Sequence, residues 1–115
     1  MILGIGTDII EIERIRKAVK RWGNGFLKHI LTDQEITHAK RYQNPFAHYA
    51  GRFAAKEAIF KALGDPKLSW QDVTIFNDKE GKPVCKHRRA SFKHRILISI
   101  SHSKDYATAF CIVTP

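Results

Sequence analysis

The hydrophobic period of this chain changes once past Glu11, close to Gly64, and no other feature of the sequence narrows the fold as much. From Glu11 to Gly64 the apolar residues recur every three or four positions, as helices with one buried stripe require. After Gly64 they alternate, as strands with one buried face require. Residues 11–22 carry Ile12, Ile15, Val19 and Trp22 at helical spacing, with Arg14, Lys17 and Arg21 off that stripe. They predict an amphipathic helix with a basic outer side, ended by Gly23 and Gly25. Thr32-Asp33-Gln34-Glu35 has the form of a capping box, in which a Thr hydroxyl and a Glu three residues on satisfy free amides at a helix start. A second helix should run from it to about Tyr42. Asn44-Pro45 then supplies a cap and a first-turn proline. No further proline occurs before Pro66, so residues 45–63 should form the longest helix, stopped by Gly64.

Beyond that point residues 70–76 are rich in strand formers, and 77–83 are turn chemistry. Residues 95–101 alternate Ile96, Ile98 and Ile100 with Leu97, Ser99 and Ser101. Residues 106–113 are another strand-like run, and the short link at 101–105 predicts an antiparallel hairpin with His102 at a strand end. A first strand is expected at residues 2–7. Helices gathered before strands predict an α+β fold, with N-terminal helices packed on a mainly antiparallel sheet. A chain of 115 residues fits one domain, 1–115.

Composition removes several classes of function. With 43% apolar residues the chain is not globally disordered. No apolar run approaches the length of a membrane span, and the opening lacks the pattern of a secretory leader, so a soluble, cytoplasmic protein without a membrane partner is expected. Two cysteines, Cys85 and Cys111, are too few for a disulfide scaffold or a zinc cluster and read as free thiols. The net charge of +9, from 20 Lys and Arg against 11 Asp and Glu, calls for a polyanionic partner. Nucleic acid, a phosphorylated cofactor and an acidic protein all qualify. Lys79, Lys82, Lys86, Arg88, Arg89, Lys93 and Arg95 crowd one stretch, although such a run is most often a solvated face.

Chemistry is concentrated on the long helix. At about 100° per residue, Phe46, Ala50, Phe53, Glu57 and Phe60 share one stripe, which sets a carboxylate within an aromatic face. Such a carboxylate must be paired, hydrogen-bonded or bound to a cation. An i, i+4 pair with Lys61 is one answer. The other uses Asp8, a second carboxylate just past the expected strand in Gly4-Ile5-Gly6-Thr7-Asp8, although Asp8 could equally cap the following helix. Two carboxylates on different elements suit Mg²⁺ completed by substrate phosphates, with Arg52, Lys56 and Lys61 on the same helix. His102 is flanked by Ser101 and Ser103, whose hydroxyls can donate to phosphate. A Ser-His-Asp relay through Asp105 fails, because residues so close on one turn rarely form it and no G-x-S-x-G elbow occurs. No dinucleotide fingerprint or Walker motif is present either.

Three segments together resemble one family: Gly4-Ile-Gly-Thr-Asp8-Ile-Ile-Glu-Ile-Glu-Arg14-Ile, Gly51-Arg-Phe-Ala-Ala-Lys56-Glu57-Ala-Ile-Phe-Lys61-Ala-Leu-Gly64 and Ile98-Ser-Ile-Ser-His102-Ser-Lys-Asp-Tyr-Ala107. With Leu31-Thr32-x-x-Glu35 and Gly81-Lys82-Pro83 between them, the chain resembles the bacterial holo-acyl-carrier-protein synthases, the small class of 4′-phosphopantetheinyl transferase. The resemblance implies transfer of 4′-phosphopantetheine from coenzyme A to a serine of apo acyl carrier protein, for fatty acid biosynthesis, with release of adenosine 3′,5′-bisphosphate. It implies Mg²⁺ as cofactor, Asp8 and Glu57 as metal ligands, and Lys61 as the group that neutralises the pyrophosphate; these three would be the catalytic set. Arg52, Lys61, Gly64, Lys82, Pro83, His102 and Ser103 would contact coenzyme A, and Arg14 and Arg21 would dock the acidic carrier. It further implies a homotrimer with sites between subunits, so that His102 and Lys82 serve a neighbour's metal. The serine proton has two candidate acceptors, a metal-bound water and Glu57.

The chain departs from the family pattern at Gly64-Asp65-Pro66, where a small Gly-Thr-Gly type stretch is usual, and in the strongly basic link from Cys85 to Arg95. The rival reading is a small basic nucleic-acid-binding domain, which accounts for the charge but leaves Asp8 and Glu57 without a role. Binding that needs Mg²⁺, rather than binding lost in moderate salt whatever the metal, separates the two; the resemblance implies no nucleic-acid partner.

Overall fold

Helix α4 (Phe46–Leu63) forms where the proline-free run predicts it and organises everything around it. Asn44 Oδ1 accepts from the Phe46 amide at its start. Gly64, with φ +63°, ends it in the left-handed conformation and donates its N–H to the Phe60 carbonyl at 2.9 Å. Its core-facing side is built from small residues, with Ala50, Ala54, Ala55 and Ala58 fully buried. The computed structural model of the protein describes residues 1–89 and 92–115. The other elements are β1 (Gly4–Glu11), α1 (Ile12–Trp22), α2 (Asn24–Ile30), α3 (Asp33–Ala39), a 3-10 turn (Trp70–Asp72), β2 (Val73–Asn77), β3 (Pro83–His87), β4 (Arg95–His102) and β5 (Tyr106–Thr114).

Strands β1, β5 and β4 form one antiparallel sheet in that order, while β2 and β3 pair separately as an antiparallel hairpin. The α+β expectation holds, and so does the β4–β5 hairpin with His102 at the strand end, opposite Ala107. One face of the main sheet carries Ile10, Ile98, Ala107, Ala109, Cys111 and Val113 into the core against α4. The other face leaves Ile5, Ile9, Leu97, Tyr106 and Phe110 between 43% and 66% exposed. Both cysteines are free; burial pushes Cys85 up to about 12 and Cys111 up to about 11, so neither is a ready thiolate.

Several local expectations are corrected. β1 runs through Asp8 to Glu11 instead of ending at Thr7, and Glu11, not Asp8, occupies the cap position of α1. Trp22, the last residue of α1, is 63% exposed instead of joining the buried stripe, and the Arg21 guanidinium lies 4.9 Å over the indole. α3 stops at Ala39, three residues short of Tyr42. Residues 70–72 form a 3-10 turn ahead of β2. Helix α2 and strand β3 were not expected.

The capping box forms as predicted, with the Thr32 amide donating to Glu35 Oε1 at 2.7 Å. Glu35 has a second task. Its carboxylate and the Lys56 ammonium are fully buried and paired at 2.6 Å. Lys56 also donates to the Ile30 and Trp70 carbonyls, and the Ile75 amide donates to Glu35 Oε2. A buried ion pair is tolerable when its remaining hydrogen bonds are satisfied, as here. It joins α2, α3, α4, the 3-10 turn and β2 at one point.

Candidate active site

β1 crosses α4 with no side chain between the two backbones at Gly4 and Gly6: a Cβ at either would overlap the carbonyl oxygen of Ala62 or Ala58. Asp8 follows on the same face of β1 as Gly6. Its Oδ1 accepts from Lys61 Nζ of α4 at 3.2 Å, and Lys61 also donates to the Thr7 carbonyl at 2.9 Å. The ammonium therefore leans to the strand, and Glu57 is not its ion-pair partner. Glu57 lies one helical turn before Lys61 and is half-buried. Desolvation holds its carboxyl above the ordinary range, the Asp8 carboxylate raises it further, and Lys61 pulls it back.

Two mutually repelling carboxylates, with one ammonium paired to Asp8 alone, make a hard-oxygen site short of positive charge. No group of three or more His, Cys, Asp or Glu gathers as a metal site among the described residues. A cation held by Asp8 and Glu57 alone would need water and substrate oxygens to complete its shell, which is how Mg²⁺ is commonly bound. The donor set fits that ion.

A second cluster surrounds Arg52, further back on α4. Arg52 is only 4% exposed, yet its Nε and Nη2 have no hydrogen-bond partner among the described residues. Tyr42 and His48 stack beside it with ring centroids 3.7 Å apart. His38 lies 5.6 Å from Tyr42, and His102, from the end of β4, lies 6.0 Å from His48. Burial and the Arg52 charge hold His38 and His48 below the ordinary imidazole value. A buried guanidinium with unpaired donors is costly unless an anion meets it; the Glu35 carboxylate acts on Arg52 electrostatically, but no ion pair to Arg52 forms among the described residues. His38, Tyr42 and His48 were missed from sequence; the spacings His38 to Tyr42 and His48 to Arg52, four residues each, were the available signal.

The remaining candidate residues lie elsewhere. Ser103 closes the β4–β5 turn, its amide donating to the Tyr106 carbonyl and its Oγ accepting from the Tyr106 amide, which leaves the hydroxyl proton free. Lys82 and Pro83 stand at the β2–β3 hairpin, where Asp78 Oδ1 accepts from the Lys82 amide at 2.9 Å. They line a groove of about 330 Å³ with Leu97, Phe110 and Ile112. No hydrogen bond or ion pair joins them to Asp8, Glu57 or Lys61 among the described residues. Arg14 and Arg21 are exposed on α1. In the basic link, Arg88 and Arg89 are both engaged with Asp72, and Arg89 also with Asp65.

Residues 4–111 match the model of the 4′-phosphopantetheinyl transferase superfamily. The holo-[acyl-carrier-protein] synthase of Thermodesulfovibrio yellowstonii is 43% identical over 115 residues, covering 99% of this chain and all of that one. The enzyme of the same name from Protochlamydia amoebophila is 46% identical over 119 residues, covering 97% and 98%. A crystal structure of a Bacillus anthracis holo-(acyl-carrier-protein) synthase in complex with coenzyme A (3′,5′-ADP) superposes with a TM-score of 0.87 at 41% identity, covering 98% of this chain and 96% of that one. The chain belongs to the holo-[acyl-carrier-protein] synthase family.

Proposed function

We propose that the protein transfers 4′-phosphopantetheine from coenzyme A to a serine of an apo acyl carrier protein, releasing adenosine 3′,5′-bisphosphate, with Mg²⁺ as cofactor. The observation that carries this reading is the Asp8–Lys61–Glu57 group: two carboxylates and an ammonium set side by side because β1 and α4 touch through glycine. In the reaction the serine oxygen forms a bond to the phosphorus that carries pantetheine, and the bond from that phosphorus to the bridging oxygen breaks. The leaving bisphosphate takes the electron pair, and the serine proton goes to a base. Such transfers depend on positioning and charge neutralisation. Asp8 and Glu57 would hold Mg²⁺, which when bound neutralises pyrophosphate charge. Lys61 adds a second positive group, tethered by the Thr7 carbonyl so that it stays beside Asp8.

Arg52 supplies buried donors for the nucleotide phosphate, with His102 at the rim of the same cluster and the Ser103 hydroxyl beside it. Gly64, Lys82 and Pro83 complete the coenzyme A contacts in this reading. Arg14 and Arg21, exposed on α1, dock the acidic carrier, and their rim position means they act mainly on encounter. The apolar outer face of the main sheet supports assembly as a homotrimer, since a patch of this kind on a free monomer would face water. Assembly would bring Lys82, and the β4 end with His102, to a neighbour's metal site. The cytoplasm is the expected compartment; no helix of the described residues is long and apolar enough to cross a membrane.

Mass spectrometry of apo acyl carrier protein incubated with the protein, coenzyme A and Mg²⁺ should show addition of one phosphopantetheine group, and chelation should abolish it. Asp8→Asn and Glu57→Gln should each abolish transfer while leaving the melting temperature unchanged or higher, because each removes one of two repelling carboxylates. Near wild-type transfer by either variant at saturating Mg²⁺ would refute the two-carboxylate site.

A further inference from the structure

Three buried nitrogens in one cluster have no bonding partner among the described residues: Nε and Nη2 of Arg52, which is 4% exposed on α4, and Nε2 of His38 on α3. The His48 ring stands 6.5 Å from His38 and stacks on Tyr42. The charged and titratable groups that face the two imidazoles are Arg52 for both, Arg41 for His38, and His102 of β4 for His48. All of them are bases. Arg52 itself is faced by the Tyr42 phenol and by Glu35, whose carboxylate is committed to Lys56 and to the Thr32 and Ile75 amides. Burial and the Arg52 charge keep both imidazoles from taking up a proton easily. Tyr42 and His102 are exposed, so the rim of the cluster faces solvent. An oxyanion entering there would meet donors with nothing else to bond and no carboxylate free to repel it.

We propose that this cluster binds a doubly charged oxyanion of the phosphate or sulfate type together with one proton, which the His38 and His48 imidazoles take up from solvent. Arg52 meets one of the two charges through its free Nε–H and Nη2–H. The second charge is left over, and an imidazolium meets it. His38 and His48 are thus further binding residues, neutral in the empty site and sharing a charge in the filled one. The anion reverses the balance that holds them neutral, because an opposite charge close by favours the protonated ring. The site follows from the unbonded donors alone; only its occupant in the reaction, the nucleotide phosphate of coenzyme A, rests on the transferase reading above.

The test is calorimetric titration of sulfate into the full chain between pH 8 and 6, at constant ionic strength and in two buffers of different ionisation enthalpy. Sulfate keeps both charges throughout this range, so any pH dependence belongs to the protein. Wild type should bind it about tenfold more tightly at pH 6 than at pH 8, and the two buffers should report uptake of about one proton per anion near pH 7. His38→Gln combined with His48→Gln should flatten the pH dependence, and Arg52→Gln should abolish binding at both ends of the range. If a variant misfolds, the wild-type imidazole resonances still decide, since those of His38 or His48 should titrate at higher pH with sulfate than without. Equal sulfate affinity at pH 8 and 6, binding without proton uptake, or a pH dependence that survives in the double variant, as it would if His102 alone were responsible, would overturn the proposal. Coenzyme A that binds without displacing sulfate would instead refute its placement here, and failure of coenzyme A to bind at all would refute the transferase reading, with the anion site standing in either case.

Discussion

Arg52 carries a buried positive charge with His38 and His48 beside it, and this has a consequence for pH. In the unfolded chain both imidazoles take up protons near their ordinary value of roughly 6.5. In the folded protein burial and Arg52 resist that uptake, so the unfolded state binds more protons as pH falls through this range, and stability is lost. The melting temperature of the ligand-free protein should fall between about pH 7.5 and 5.5. A bound phosphate should reverse part of the loss, since it stabilises the charged imidazoles. Thermal melts across this range, with and without coenzyme A, check both points. A combined His38→Gln and His48→Gln variant with the same pH slope as wild type would show that these groups are not responsible. At this scale the sequence was only half legible. Asp8, Glu57 and Lys61 could be picked out from charge in an apolar context. The pairing of Lys61 with Asp8 could not, because a contact between residues 53 apart depends on how strand and helix cross.

At the scale of elements, the crossing of β1 over α4 is the decisive contact. It needs glycine at residue 6 because a backbone oxygen, which cannot swing aside as a side chain would, fills the space of a Cβ. Gly6→Ala should force the strand off the helix, cost about 1–3 kcal/mol or more, and uncouple Asp8 from Lys61. Urea unfolding measures the first effect, and transfer activity, which should fall by far more than the folded fraction, measures the second. Wild-type stability and activity in this variant would mean that β1 can lift without consequence. The limits of α4 were readable because proline and glycine punctuate it. α2 was not, because Asn24-Gly25 has the chemistry of a turn, yet those residues start a helix that buries Leu27 and Ile30. β3 was hidden too: Lys86 and His87 mask the weak alternation of a strand whose partner, β2, fixes it.

For the whole molecule, the outer face of the β1–β5–β4 sheet sets the expectation. Ile5, Ile9, Leu97, Tyr106 and Phe110 give a wide apolar surface on a chain whose other surfaces carry most of a +9 charge. If copies of the chain cover it, Phe110→Asp should dissociate the assembly, because a carboxylate buried at an interface without a partner is costly. Light scattering should report a trimer for wild type and a monomer for Phe110→Asp, with circular dichroism unchanged. A wild-type monomer that is active at assay concentration would end the shared-site proposal. Alternation in the sequence made the face visible as strand, but did not say which side would be left bare; that follows from which side α4 covers.

The sheet order also bears on the timing of folding. β1 has β5 as its neighbour in the sheet, with Gly4 opposite Val113 and Asp8 opposite Ala109. During synthesis the first strand is therefore made without the strand it will pair with, about a hundred residues further along. Contacts so distant along the chain are slow to close, whereas α1 to α4 can form from local contacts. The acidic pair depends on β1, so its geometry rests on one of the longest-range pairings in the fold.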